Sequence, residues 1–344
     1  MTVPERVVII GASVAGVRVA QELRQAGYPG AIALVGEERH TPYDKPPLSK
    51  EMLAAGSDGA PVPLLPPDQL DALDLDLRLG VRASGLDPAR RVVTTTDGQE
   101  ISYDALVVAT GSIPRALPGS DALAGVVTIR TVEDAHELRR EFAPGRRLVV
   151  VGGGFVGAEV AAAAIGHGME VTVVEAASEP MALALGEDVG AAIRRLHEAH
   201  GVHVLTGARV DRLEGGDRVD ASDRVDASDR FDASARVDAV VLADGTRLEC
   251  DAVVIGIGAR PATDWLAGSG LPIVDTPGSD GVACDIALRV NGFPGIYAAG
   301  DIARWPHPLY AEPIRIEHWT NTGDHARAIA ADVTGSRTHG VTVP

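Results

Sequence analysis

Cysteine is almost absent from this chain: among 344 residues only Cys250 and Cys284 carry thiols, 34 positions apart. That spacing excludes a disulfide framework and any C-x-x-C redox or metal pair, and Cys250, inside LECDAVVIGIG, reads as a small core residue. Cations are also short, 31 Lys and Arg against 48 Asp and Glu, for a net charge of −17. Nucleic acid is therefore excluded as a general partner, because a phosphate backbone is bound by clustered Lys and Arg. No apolar run reaches the roughly 18 to 20 residues of a membrane span, and the start MTVPER carries no basic leader with an apolar stretch behind it. A cytoplasmic protein without a membrane anchor is expected. His197, His200 and His203 straddle a helix end and the strand after it, the ordinary place of imidazoles near a helix C-terminus, and no metal is expected there.

Two glycine-rich turns stand about 140 residues apart, RVVIIGASVAGVRVAQELRQAG and RLVVVGGGFVGAEVAAAAIGHG. In each, a Val/Ile-rich run predicts a buried strand, the first glycine (Gly11, Gly152) a tight turn, and the last (Gly16, Gly157) close packing of a helix on that strand. Each continues into a second strand ending in an acid, Glu37 or Glu175, where a carboxylate can accept both hydroxyls of an adenosine ribose. The middle position is Gly154 in the second copy and Ser13 in the first, so the first copy is the weaker match. One such motif is weak; the same order of strand, turn, helix, strand and acid twice predicts an α/β chain with two Rossmann-like dinucleotide-binding domains. A length of 344 residues suits two domains.

The strand YDALVVATGSIPR closes the first unit at Ala109, Thr110 and Gly111, and DAVVIGIGARP closes the second in the same manner. The expected division is residues 1–114 with 259–325 for the first domain, 115–258 for the second, and 326–344 for the start of a further one. Between about 217 and 239 hexapeptides repeat, RVDASD RVDASD RFDASA RVDA. We read them as an expansion in a surface hairpin loop, since loops tolerate insertion at small entropic cost.

With both units placed, the chain resembles the FAD-dependent pyridine-nucleotide oxidoreductases, and among them the bacterial ferredoxin and rubredoxin reductases that serve oxygenases. The resemblance runs through GASVAG with Glu37, YDKPPLSK, VVATGSIPR, TIRTVEDAHELR, VVGGGFVGAEVA with Glu175, YAAGDIA and EHW, in that order. Relatives that reduce disulfides hold cysteines at the stretch that here reads Pro46, Pro47, Leu48 and Ser49, so the resemblance implies FAD and NADH as cofactors, no thiol relay, and a small iron–sulfur protein as acceptor.

The resemblance also implies site residues. Gly11, Ser13, Ala15, Gly16 and Glu37 would hold the ADP half of FAD, with Val81 giving adenine-side backbone contacts and Thr110 and Gly111 at the strand end. Arg130 would reach the FAD pyrophosphate or adenine; Lys45 stands where many relatives carry Arg. Gly300 and Asp301 would hold the ribityl chain, and Trp319 would cover the flavin near the electron exit; from the charge balance, not the resemblance, Arg304 and Arg315 near Trp319 are the candidates for a local basic patch toward an acidic partner. Gly152, Gly154, Gly157 and Glu175 would hold NADH, and Lys50, paired with Glu159, would keep a cation beside the flavin. The resemblance leaves open an NADH oxidase or nitrite-reductase-like flavoprotein, and a redox-signalling flavoprotein like the apoptosis-inducing-factor relatives. It also implies a third, C-terminal domain that begins where this sequence stops.

Overall fold

The Val- and Ile-rich runs become the central strands of two parallel sheets that share a four-strand core order and differ in the edge strand, which comes last in sequence in the first sheet and first in the second. The computed structural model describes residues 3–216, 235–276, 279–310 and 312–336. They form two compact units, Met1–Asp44 with Val62–Ile113 and Arg260–Pro344, and Lys45–Pro61 with Pro114–Ala259.

In the first unit the sheet runs Ile296–Ala298, Ala105–Val108, Arg6–Ile10, Ala31–Gly36, Leu75–Leu79, every neighbour parallel. Arg6–Ile10 is central, and Val7, Val8 and Ile9 are fully buried, as expected of a parallel strand covered on both faces. The helix Val14–Gln25 follows it and packs against a second helix, Asn321–Val333. An antiparallel meander, Ala83–Asp87, Val92–Thr95 and Glu100–Ser102, extends this unit.

The second unit repeats the plan. Its sheet runs Val126–Val127, Ala252–Ile255, Arg147–Val151, Glu170–Val174, His203–Leu205, again all parallel. The helix Phe155–Gly166 follows the central strand. The antiparallel strands Val210–Gly216 and Ala235–Leu242 pair with Gly216 opposite Arg236; the last residues of the hexapeptide repeat, 235–239, are strand and not loop, with Val237 and Ala239 buried, and the rest of the expected loop lies outside the described residues.

The units differ from the expected division at two places. Lys45–Pro61 belongs to the second unit rather than the first, because side chains of that unit hold its carbonyl oxygens: His136 Nε2 on Gly59 at 2.8 Å, His167 Nε2 on Leu53 at 2.8 Å, and Arg139 Nη1 on Met52 at 2.7 Å. Residues from 326 onward were expected to open a further domain, yet the helix Asn321–Val333 sits in the core of the first unit. There Ala326 and Ile329 are fully buried, and Asp332 is held by Arg289 and by the Tyr297 hydroxyl at 2.8 Å.

The helix Val132–Glu141, which supplies His136 and Arg139, begins with a capping box: Thr131 Oγ1 accepts from the Asp134 N–H and Asp134 Oδ2 accepts from the Thr131 N–H at 2.8 Å. Replacing Thr131 with Ala removes one half of it. A loss of about 1 kcal/mol is expected, read as an earlier urea transition of the second unit; an unchanged transition would contradict the capping account.

Candidate functional site

Both glycine turns press backbone directly on backbone. Gly11 has φ +118° and Gly152 φ +104°, the left-handed region that favours glycine. A Cβ on Gly11 would lie 2.1 Å from the Ala109 carbonyl oxygen, and one on Gly152 would lie 2.3 Å from that of Gly256. Added to Gly16 or Gly157, it would meet the carbonyl oxygen of the turn's first glycine at 1.9 or 2.0 Å. The middle position is different: a Cβ on Gly154 would meet nothing within 4 Å, which explains how Ser13 is accommodated in the first copy.

Each turn delivers a helix N-terminus whose first N–H groups receive no side-chain cap, and neither helix has an acid in its first turn. The capped helix after Thr131 shows the alternative, with Glu133 and Asp134 in its first turn. Open N–H groups and the positive end of the helix dipole suit an anion such as pyrophosphate. The unfilled space at Gly154 and the missing caps therefore fit a dinucleotide in both units.

The two acids are held differently. Glu175 accepts from the Gly153 N–H and the Ala177 N–H, both at 2.7 Å, so its carboxylate is braced across the glycine turn, with further lone-pair sites available. Glu37 pairs with Arg82 at 3.0 Å, both well exposed; Arg82 was missed in the sequence, where nothing marks a partner 45 positions away. Val81 donates its N–H to the Gly36 carbonyl at 2.8 Å, so a main-chain contact from it has to come from its carbonyl. Phe155, 54% exposed at the start of the second helix, is a further neighbour of the turn, signalled only by an aromatic directly after Gly154.

In the first unit the Thr110 hydroxyl donates to the Ala262 carbonyl at 3.0 Å, and Gly111 at φ +68° accepts from the Ala262 N–H. The Asp301 carboxylate accepts from the Ser112 hydroxyl at 3.2 Å and its carbonyl from Arg315 Nη1 at 3.1 Å. Arg315 is not a free surface cation: it is buried against Asp280 at 2.9 Å and paired with Glu317 as well. Arg304 donates to the Ser279 hydroxyl. The expected basic patch is thus largely spent inside the unit, whereas Trp319 is 44% exposed with the Arg18 guanidinium 5.4 Å from its ring, a cation–π distance.

In the second unit Lys50 Nζ lies 3.0 Å from Glu159 Oε1, and the Ser49 hydroxyl donates to Glu159 Oε2 at 2.6 Å. The acid from the second helix and the lysine after KPPLS, read as a pair in the sequence, meet. Lys45 Nζ donates to the Arg130 carbonyl at 3.0 Å, and the Arg130 N–H caps back to Asp134. Both thiols are buried, and burial pushes each up to about 12.

The chain belongs to the pyridine nucleotide-disulphide oxidoreductase family, whose pattern matches residues 5–326. It is 36% identical to a probable ferredoxin reductase of Castellaniella defragrans, over 97% of this chain and 77% of that one. It is 34% identical to the rubredoxin-NAD(+) reductase of Pseudomonas putida, over 98% and 82%. Among solved structures it is similar to putidaredoxin reductase in its covalent complex with putidaredoxin, with TM-score 0.84, 36% identity and coverage of 96% and 76%. A ferredoxin reductase from Rhodopseudomonas palustris gives TM-score 0.86 at 33% identity, over 98% and 78%.

Replacing Gly16 with Ala puts a methyl group at 1.9 Å from a backbone oxygen that has no room to retreat. The first helix has to shift, with a stability loss on the order of 1–3 kcal/mol and loss of dinucleotide binding to that unit. Gly154→Ala, in open space, is expected to leave stability unchanged within about 1 kcal/mol. Equal thermal melts for the two variants would contradict this reading.

Proposed function

We propose that the protein is an NADH-dependent ferredoxin reductase, with FAD on the first unit and NADH on the second, passing electrons to a small iron–sulfur protein. The observation that carries this reading is the duplicated, uncapped glycine turn in a family member without a usable cysteine pair. When bound, FAD accepts two electrons together as hydride and releases them singly. The residues of this chain bind and orient: the first turn receives the flavin nucleotide's pyrophosphate, Glu37 its ribose, and Asp301, held at both its carboxylate and its carbonyl, the ribityl hydroxyls. Glu175 accepts the nicotinamide nucleotide's ribose hydroxyls. Lys50, paired with Glu159 at 3.0 Å, supplies positive potential for the charge that develops on hydride transfer. The exposed Trp319 and the half-buried Arg18 beside it form an aromatic and cationic spot suited to an acidic partner. With reduced nicotinamide as the donor, this reading implies the cytoplasm as its compartment.

The reading is tested by supplying NADH to the FAD-loaded protein with a small iron–sulfur protein as acceptor, while oxygen consumption is followed. Reduction of the acceptor well above the rate of oxygen uptake is expected. Oxygen uptake that dominates with the acceptor present would favour an NADH oxidase instead.

Two variants probe the assignments. NADH should be preferred to NADPH by at least about tenfold in kcat/KM, since a 2′-phosphate meets the fixed Glu175 carboxylate, and Glu175→Ala should narrow the ratio. An equal or greater value for NADPH in the unaltered protein would sink this assignment. Lys50→Met should change stability by less than about 1 kcal/mol, because the ion pair is partly exposed, yet slow flavin reduction by about tenfold. Stopped-flow traces that superimpose on the unaltered protein's would remove Lys50 from the chemistry.

A further inference from the structure

We propose that His325 is a positioning residue for the flavin side of the first unit, its Nδ1 fixing the Gly300–Asp301 turn against the first glycine-rich turn. The inference rests on the reading of that unit as the FAD site and adds to it a residue that no motif singles out.

His325 lies on the helix Asn321–Val333 and is fully buried. Its Nδ1 accepts a hydrogen bond from the Gly300 N–H at 3.0 Å. Gly300 has φ +73°, and a Cβ on it would sit 2.9 Å from the Ala15 Cβ, so the turn is pressed onto the start of the first helix. Asp301 follows directly, with Arg315 on its carbonyl and Ser112 on its carboxylate. The imidazole thus ties together a glycine in a left-handed conformation, the residue proposed to hold the ribityl chain, and the helix N-terminus proposed to hold pyrophosphate.

The other side of the ring shows why a histidine here calls for explanation. Nε2 has no hydrogen-bond partner among the described residues, and neither have the buried Trp305 Nε1 and Asn321 Oδ1. The Trp305 ring stands at 90° to the imidazole with centroids 4.4 Å apart, which fixes its orientation. A buried donor without a partner is a destabilising feature that an apolar side chain of similar size would remove. What a leucine could not supply is the acceptor at Nδ1. Burial pushes the imidazole down to about 3, so the ring stays neutral; with Nδ1 accepting, the proton sits on Nε2.

The test compares His325→Asn with His325→Leu in the full chain loaded with FAD. Asparagine Oδ1 occupies nearly the position of Nδ1 and can accept from Gly300; leucine fills the space better and cannot. FAD release on dilution, followed by recovery of free-flavin fluorescence, should be at least about tenfold faster in the leucine variant and within about threefold of the unaltered protein in the asparagine variant. Melting temperatures without FAD separate positioning from packing, since the leucine variant should be at least as heat-stable as the asparagine variant. Equal release from the two variants, or faster release from asparagine, would overturn the proposal. Nitrogen-15 NMR of the unaltered protein gives a check that depends on no variant: a neutral ring protonated at Nε2 is expected, and a proton on Nδ1 would overturn it. If the unaltered protein fails to retain FAD, the cofactor reading falls and this inference with it, whereas variants that release FAD alike from a chain that does bind it overturn the inference alone.

Discussion

Backbone in contact with backbone at the carboxyl ends of two central strands is the constraint on which the rest of this structure depends. At Gly16 and Gly157 the helix approaches so near that a single added carbon would overlap a carbonyl oxygen. That approach brings uncapped N–H groups to the point where the sheet ends, beside Glu37 and Glu175 at the ends of the adjoining strands, so one steric condition sets both the proposed phosphate site and the proposed ribose site. Its repetition in both units, around a shared four-strand core order, is the ground on which two nucleotide sites are proposed from one architectural rule.

The two copies put that rule to different use. The second copy is self-supporting: Glu175 is tied to Gly153 and Ala177, and the segment carrying Lys50 is held by His136, His167 and Arg139 of the same unit. The first is supported from a distance in sequence, by Arg315 and Ser112 on Asp301 and by His325 on Gly300. Much of the charge near Asp301 is consumed internally, as the buried Arg315–Asp280 pair shows, and breaking such a pair leaves an uncompensated charge. A chain of net charge −17 that gives up a cation to its own interior has few left for a partner's surface, which lends weight to the half-exposed Arg18 beside Trp319.

Both glycine turns were legible because they follow from local pattern, namely apolar runs, glycine spacing and an acid at a strand end; the Lys50–Glu159 pair came from the family resemblance, and the order of strands only from the structure. Arg82, Arg18 and His325 were not, since each acts on a residue brought near only by the fold, and an isolated Arg or His carries no local mark. The same reason hid the membership of Lys45–Pro61 in the second unit: its anchors are side chains from 77 to 114 positions away bonding to carbonyl oxygens, which any sequence could offer. Arg304 and Arg315 misled in the opposite direction, because a count of cations does not show which of them the fold has already paired.

The central claim is that the two turns hold two different dinucleotides in one working enzyme, and anaerobic titration of the FAD-loaded protein with NADH tests it most directly. The account predicts that about one equivalent of NADH bleaches the flavin's visible absorption, and that Gly157→Ala abolishes the bleaching while leaving FAD bound. Flavin that stays oxidised with excess NADH, or bleaching that survives in the Gly157→Ala variant unchanged, would contradict it.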